Sequence, residues 1–354
     1  MKKIKVAING FGRIGRAFFR EATRINADKD ADKRGYEIEV VAVNDLGDLA
    51  TFAYLLKYDS VYGRASFTVS GSAGGEKLIV DGKDILFLSE REPANLPWGD
   101  LGVDVVVEAT GFFASYEKAS VHLKAGAKRV IITAPVKDEP IGLNGATVLL
   151  GINEEKLKTC EIISNASCTT NAASPVIAIL DKAIGIEKAI LNTVHAYTAT
   201  QSLVDGPAGK KGLREGRAAA HNIIPSSTGA AIAVTKAYPS LQGKFDGISL
   251  RVPVVCGSIA DITFIAKRET SAEEVNAALI KAASEKQWED IFAVTKDELV
   301  SSDIIGRPEG AIAELSMTRV VDGNLVKVLA WYDNEAGYAG TLVKHVLAAG
   351  KFIS

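Results

Sequence analysis

The chain of 354 residues favours two domains at roughly 100–200 residues apiece. Its 47% hydrophobic and 24% charged content is that of a globular protein with a core large enough to need no staples, which excludes disorder and a solenoid. Lys plus Arg total 41 against 43 Asp plus Glu, a formal charge of −2 with no basic run. This excludes a polyanion platform, so no nucleic acid is expected as a partner, while two or three local arginines can still hold a small anion.

Met1-Lys2-Lys3 carries signal-like charge, but the apolar run Ile4–Ile8 is short and interrupted by Lys5. No stretch approaches the roughly 18 apolar residues of a membrane span, so neither a targeting segment nor a membrane partner is expected. The three cysteines, Cys160, Cys168 and Cys256, are too sparse for a disulfide framework and fit a reducing, cytoplasmic setting.

In chain order, Lys3–Asn9 reads as a strand, Arg13–Ile25 as a helix, Asn26–Tyr36 as a polar loop and Ile38–Asn44 as a second strand. Leu49–Lys57 reads as a helix and Phe67–Leu88 as short antiparallel hairpins. Val103–Glu108 follows as a strand, Ser115–Ala125 as a helix and Arg129–Thr133 as a strand. Alternating strands and helices mean βαβ units and a mostly parallel sheet. Past a boundary near Asn165–Cys168 the pattern changes. Cys168–Ala183 is a long helix, and Ala189–Val194, Gly247–Pro253, Asp261–Lys267 and Leu325–Tyr332 are strands. Ser271–Glu285 is a helix with Ser271 as cap. From His195 to Ile223 few apolar positions are periodic; Gly206, Pro207, Gly209, Lys210, Lys211 and Gly212 mark an ordered functional loop. A last helix, Ala339–Ala349, has no home by pattern alone.

Gly10-Phe11-Gly12-Arg13-Ile14-Gly15 fits G-x-G-x-x-G between the first strand and the first helix, the context that lets it cradle a pyrophosphate. Gly10 permits the tight turn, Gly12 the approach of the phosphates and Gly15 close packing of helix on sheet. The helix N-terminus offers free N–H groups. Asp45 ends the second strand, 30 residues beyond Gly15 rather than the usual ~20, with the polar insertion filling the difference. A carboxylate there accepts hydrogen bonds from a ribose diol and repels a 2′-phosphate, favouring NAD over NADP. The bland alternative is a glycine-rich turn with no ligand.

Cys168 stands at the start of a helix in a polar setting of Ser, Thr and Asn, where the helix N-terminus is expected to acidify it into a nucleophile. Cys160 and Cys256 sit in apolar, strand-like surroundings and read as packing residues. A thiol nucleophile needs a base. His122 and His345 fall in helix-like stretches and read as ordinary surface or packing residues. His195, at a strand end, is favoured over His221, which precedes the loop Ile224–Gly229. Ser226-Ser227-Thr228-Gly229 could bind phosphate through hydroxyl and N–H groups. Arg251, in an otherwise apolar strand, suits either phosphate or a salt bridge. No C-x-x-C or H-x-x-x-H spacing suggests a metal.

Taken together, ING-FGRIGR, LLKYDSVYG (Leu55–Gly63), SNASCTTN (Ser164–Asn171), HAYTATQ (His195–Gln201), NIIPSSTGAA (Asn222–Ala231) and WYDNEAGY (Trp331–Tyr338) resemble, in order and over essentially the whole chain, the phosphorylating glyceraldehyde-3-phosphate dehydrogenases. The resemblance implies an α/β protein with an N-terminal Rossmann dinucleotide-binding domain over 1–167. A catalytic α+β domain over 168–333 carries a mixed, largely antiparallel sheet and a long loop about 196–222. The C-terminal helix, 334–354, packs back on the first domain. It implies Cys168 as nucleophile and His195 as base, and cofactor contacts at Arg13, Ile14, Asp45, Arg91, Thr133, Asn334 and Tyr338. Thr198 and Arg251 would hold the substrate phosphate; Ser167, Thr169, Thr228 and Gly229 would hold the attacking inorganic phosphate. Gly206-Pro207 matches the NAD-preferring version, and the implied assembly is a cytoplasmic homotetramer.

Several positions depart from the family pattern. Ala172 replaces a second cysteine, Ile232 a lysine, and Val254-Val255-Cys256-Gly257 a stretch with Thr and Asn; Arg214 and Arg217 leave a supplementary phosphate contact ambiguous. Erythrose-4-phosphate dehydrogenase and a catalytically idle NAD-binding scaffold are the competing readings. Thr198, Thr228 and Gly229 argue against the first, and an intact Cys168 and His195 against the second.

Overall fold

The structure, a computed structural model, describes residues 1–28, 35–207 and 212–353. The polar insertion Asn26–Tyr36 lies partly, and Gly209, Lys210 and Lys211 wholly, outside the described residues. The chain divides into two units: Met1–Val148, Glu154–Ala166 and Leu342–Ser354 form one, Leu149–Asn153 and Ser167–Thr341 the other.

In the first unit a nine-stranded sheet is built around Lys2–Asn9, whose inner residues are buried from Val6 onward. It pairs in parallel with Tyr36–Asn44 on one side and Val105–Glu108 on the other. Arg129–Ile132, Ile162–Ser164 and Gly145–Thr147 continue the parallel run. These strands are nearly continuous Val/Ile runs because both faces are covered. Register brings Asn9 level with Asn44 and Glu108, and Asn44 level with Leu88, so several carboxyl ends finish together beside the chain reversal at the central strand. Open α/β sheets bind ligands at such a point. Helix Arg13–Asn26 springs from it, burying Phe18, Phe19, Ala22 and Ile25.

The second unit holds a seven-stranded mixed sheet. Ile186–Ala196 runs parallel to Phe245–Val252 and antiparallel to Ser258–Ala266; Leu325–Tyr332 and Ala311–Val321 continue antiparallel. Register sets His195 beside Arg251, and side chains directly opposite one another share a face. Helix Cys168–Ile184 packs across four of these strands through Ala172, Val176, Ile177 and Leu180.

Several expectations change. The helix over Ser115–Ala125 is two single turns, Tyr116–Ala119 and Val121–Lys124, split at Ser120. Of the expected hairpin region, Val69–Gly71, Lys77–Val80 and Lys83–Leu88 pair antiparallel, but the last also joins the main sheet in parallel. Ile224–Ser227, expected as loop, is an edge strand pairing with Phe245–Val252. Leu149–Asn153 belongs to the second unit, where Gly151 abuts the Trp288 ring and accepts a hydrogen bond from Gln287. The last helix, Ala336–Gly350, divides between units. Gly337 and Gly340 lie against the carbonyls of Glu309 and Pro308 in the second, while Gly350 lies against Ile4 in the first. No described helix is long and apolar enough to cross a membrane.

His122 and His345 are not surface residues; both are fully buried. His345 Nδ1 donates to Asn165 Oδ1 at 2.8 Å, and burial pulls its pKa from 6.5 down to about 3. Between those values the unfolded chain binds a proton that the folded chain refuses, so stability is lost as pH falls through this window. His345→Gln should therefore flatten the dependence of the urea midpoint between neutral and mildly acidic pH. Close packing makes a second expectation. A Cβ on Gly15 would meet the Gly10 carbonyl oxygen, so Gly15→Ala should cost about 1–3 kcal/mol, read as a Tm several degrees lower.

Candidate active site

In the first unit the sheet's carboxyl ends open into a cavity of about 500 Å³ lined by Asn9, Gly10, Gly12, Asn44, Asp45, Arg91, Thr110 and Phe112 among others. Gly10 has φ +96°, and a Cβ there would stand 2.6 Å from the Thr110 nitrogen, so only glycine fits. Gly12 has open space where a Cβ would be. It caps the helix without a side-chain hydrogen bond, and no acidic residue occupies the first turn. The free N–H groups there suit a pyrophosphate. Asp45 is held at the rim: Oδ2 accepts from Phe11 N at 2.7 Å and Oδ1 from Gly47 N at 3.1 Å. Acceptor capacity remains on both oxygens for a ribose diol. The cradle, the open helix start and the rim carboxylate fit a dinucleotide.

Not every residue expected at the cofactor lies in this cleft. Arg13 ion-pairs with Asp59 and sits over the Tyr62 ring. Thr133 bonds the Glu108 carbonyl through N and Oγ1. Asn334 and Tyr338 belong to the second unit and Ile14 is half-buried on the first helix. Asn334 Oδ1 accepts from Gly257 N (3.1 Å) and Ser258 Oγ (2.9 Å), which fixes the orientation of its amide.

Ala166, the last residue of its segment of the first unit, and Ser167, the first of the second, introduce the long helix. Ala166 is a non-glycine residue at φ +54°, a strained turn of the kind found where a side chain must be aimed. The Ser167 hydroxyl caps the helix by accepting from Thr170 N at 3.1 Å. Cys168 follows, and His195 Nε2 lies 3.4 Å from its Sγ. His195 is buried, its ring edge-on to Tyr332 at 5.9 Å. Its Nδ1 lies 2.6 Å from the Ala196 carbonyl oxygen and 2.6 Å from Arg251 Nη1. Arg251 Nη1 can only donate, and it also reaches the Ala196 carbonyl oxygen at 3.2 Å; in the tautomer with Nδ1–H on that carbonyl, Nε2 presents a lone pair to the thiol. His221 is exposed on the loop.

Burial pushes the Cys168 thiol up, while the Arg251 charge and hydrogen bonds at Thr169 pull against it. The expected acidification by the helix start is therefore outweighed by desolvation. An imidazolium at His195, with Nε2 3.4 Å from the sulfur, would add a Coulomb attraction that favours the thiolate. The other two thiols are buried. Cys160 is buried and pushed up by desolvation. Cys256 departs from expectation: it lies in the turn between two strands, and its Sγ donates to Asp333 Oδ1 at 3.1 Å.

The residues expected at phosphate gather on this unit with uneven freedom. Arg251 has no carboxylate in ion-pair range among the described residues, which removes the salt-bridge alternative, and its buried Nε has no partner. Thr169 Oγ1 lies 2.9 Å from Tyr332 Oη, which also reaches Thr193 Oγ1 at 2.7 Å. Thr228 Oγ1 accepts from Ala230 N at 3.2 Å, leaving its O–H to donate. Thr198 Oγ1 lies 3.0 Å from Thr200 Oγ1, and a Cβ on Gly229 would meet open space. Sequence reasoning missed Tyr332, Ser258 and the polar chain behind them. Tyr332 reads as an apolar strand residue, and only its two threonine partners reveal it. No group of three or more His, Cys, Asp or Glu among the described residues could hold a metal.

Two substitutions test this balance. Arg251→Leu and His195→Asn should each shift the pH profile of Cys168 alkylation by iodoacetamide upward, because the first deletes a positive charge that favours the thiolate and the second deletes the group that can take the thiol proton. An unmoved profile in both would show that neither group reaches the sulfur.

Comparison with known proteins then assigns the lineage. The profile described as glyceraldehyde 3-phosphate dehydrogenase, NAD binding domain, matches residues 4–116, and that of the C-terminal domain matches 167–334. Proteins named glyceraldehyde-3-phosphate dehydrogenase are similar along nearly their full length. The one from Mycobacterium avium is 49% identical over 350 residues (98% of this chain, 99% of the relative). Those from Streptomyces coelicolor and Geobacillus stearothermophilus are each 48% identical, over 349 residues (98% of both chains) and 342 residues (96% of both). With a sulfur–imidazole pair in one unit and a dinucleotide cradle in the other, the chain belongs to the glyceraldehyde-3-phosphate dehydrogenase family.

Proposed function

We propose that the protein oxidises D-glyceraldehyde 3-phosphate to 1,3-bisphosphoglycerate with NAD and inorganic phosphate, the exchange that serves glycolysis and gluconeogenesis. The observation that carries this reading is the 3.4 Å approach of His195 Nε2 to Cys168 Sγ. His195 takes the thiol proton, the sulfur attacks the aldehyde carbon, and the imidazolium returns that proton to the developing alkoxide, giving a thiohemiacetal on Cys168 and a neutral imidazole. His195 then takes the proton of the thiohemiacetal hydroxyl as a hydride leaves carbon, and an acyl thioester remains. A phosphate oxygen attacks the thioester, the acyl–sulfur bond breaks and the thiolate returns. One difficult oxidation is thereby split into two easier steps.

NAD, when bound, supplies the hydride acceptor. Gly10, Gly12, Gly15, Ile14 and the helix start would hold its pyrophosphate, Asp45 its ribose diol and Arg91 the cleft wall. Arg13, Thr133, Asn334 and Tyr338 complete the proposed cofactor set. Thr198 and Arg251 would bind the substrate phosphate; Ser167, Thr169, Thr228 and Gly229 would bind the attacking phosphate, the last at the start of helix Ala230–Ala237. Cytoplasmic, homotetrameric operation belongs to the same reading. Exposed Ile190, Ile223, Ile232 and Ile248 supply apolar surface for a partner subunit to cover.

The direct test is NADH formation with and without inorganic phosphate, using both glyceraldehyde 3-phosphate and erythrose 4-phosphate. Phosphate-dependent turnover of the three-carbon substrate is expected; better, phosphate-independent turnover of the four-carbon sugar would sink the assignment. Cys168→Ser should abolish turnover and the acyl adduct seen on that sulfur by mass spectrometry, while NAD binding survives. Asp45→Gly should reduce the preference for NAD over NADP, measured as a ratio of kcat/KM.

A further inference from the structure

The first unit buries an acid–imidazole pair that no step of the proposed reaction uses. Glu108 and His122 are 2% and 0% exposed, with His122 Nε2 2.9 Å from Glu108 Oε2. An indole nitrogen can only donate, and Trp98 Nε1 donates to His122 Nδ1 at 3.1 Å. His122 is therefore neutral, with its proton on Nε2, and donates it to Glu108. The same carboxylate oxygen accepts from Asn9 Nδ2 at 2.6 Å. The other accepts from Thr110 N at 2.9 Å and Thr110 Oγ1 at 2.5 Å. Glu108 thus acts purely as an acceptor, with four donors on its two oxygens.

These bonds lead outward to the walls of the cofactor cleft. Asn9 immediately precedes Gly10, and its Oδ1 accepts from Asn44 Nδ2 at 2.8 Å. Asn44 clasps the Glu90 backbone at both ends, Nδ2 to the carbonyl at 2.9 Å and Oδ1 from the N–H at 2.8 Å, next to Arg91. On the opposite side Thr110 Oγ1 accepts from Phe112 N at 3.1 Å, and the Thr110 backbone is the surface against which Gly10 turns. One buried carboxylate therefore sets three cleft-lining segments relative to one another. Stability alone does not call for such a pair, because buried ion or polar pairs are often replaceable by well-packed apolar groups without loss.

We propose that Glu108 and His122 are positioning residues for the dinucleotide, a buried clamp that fixes the Thr110–Phe112 wall and the Glu90–Arg91 wall at the spacing that grips the nucleotide. The proposal rests on the reading that this cleft holds the ribose end of NAD. The pair itself touches no cofactor and acts through Asn9, Asn44 and Thr110.

The test measures the Kd for NAD by quenching of protein fluorescence, beside KM and kcat. Glu108→Gln places an amide N–H₂ among donors. The near-isosteric Thr110→Val removes one charge-assisted bond while keeping the backbone donor. Both should raise the Kd for NAD by about tenfold, the scale of one such bond, with the loss falling on KM for NAD more than on kcat. Thr110→Ser should restore near-native affinity, and His122→Gln, which keeps a donor for Glu108, should bind NAD better than His122→Leu. Asp45→Ala is the reference arm. If folded Glu108→Gln and Thr110→Val keep the native Kd while Asp45→Ala weakens binding, the pair is scaffolding and the proposal fails alone. If Asp45→Ala also leaves the Kd unchanged, the cleft reading fails and takes the proposal with it. Should Glu108→Gln not fold, the Thr110 variants decide.

Discussion

A sulfur atom desolvated at the start of a helix is costly to ionise, and the second unit is arranged around that cost. Burial pushes the Cys168 thiol up, and the charge that opposes it, on Arg251, comes from a distant part of the chain. His195 arrives on the end of one strand and Arg251 on its parallel neighbour, level in register. Tyr332, from a third strand, holds Thr169 and flanks the imidazole. The sheet is thus the device that sets the spacing. Strands a little under 5 Å apart with matched register bring charges within the range where an effective dielectric near 20 still leaves several kcal/mol of interaction.

Polar order behind the imidazole extends that control. The Ala196 carbonyl faces His195 Nδ1, the Ala196 N–H donates to Ser258 Oγ, and Ser258 Oγ donates to Asn334 Oδ1. A chain of bonds therefore links the orientation of the base to the orientation of an amide proposed to meet the nicotinamide. Asp333 anchors the same segment by accepting from Cys256 Sγ, Gly306 N, Glu335 N and Ala336 N. Cys256, a departure from the common family pattern, is accommodated because a thiol can donate to that carboxylate. In the first unit a comparable logic operates through Glu108, where one acceptor organises donors from several segments. Fully satisfied buried networks of this kind specify one geometry, since any alternative leaves a polar group unpaired in low dielectric.

The sequence by itself determined the fold class, the glycine turn, the carboxylate at the end of the second strand and the nucleophile helix, because each is written in local chemistry. Apolar periodicity marks strands and helices, glycine marks positions where a Cβ has no room, and a run of Ser, Cys, Thr and Asn before a helix marks a cap. Gly10 and Gly15 illustrate this: the backbone contacts that exclude a side chain follow from strand–turn–helix geometry alone. Only the tertiary structure shows that His195 lies beside Cys168 while His221 is exposed on the loop, because the distance to Cys168 depends on sheet order and register, which local pattern does not encode. Tertiary packing also removed the surface reading of His122 and His345, whose helical settings gave no sign of the buried acceptors waiting for them. The same limit hid Tyr332 and the division of the last helix between units. Burial and partner identity are sums over residues far apart in the chain, and a one-dimensional pattern carries no term for them.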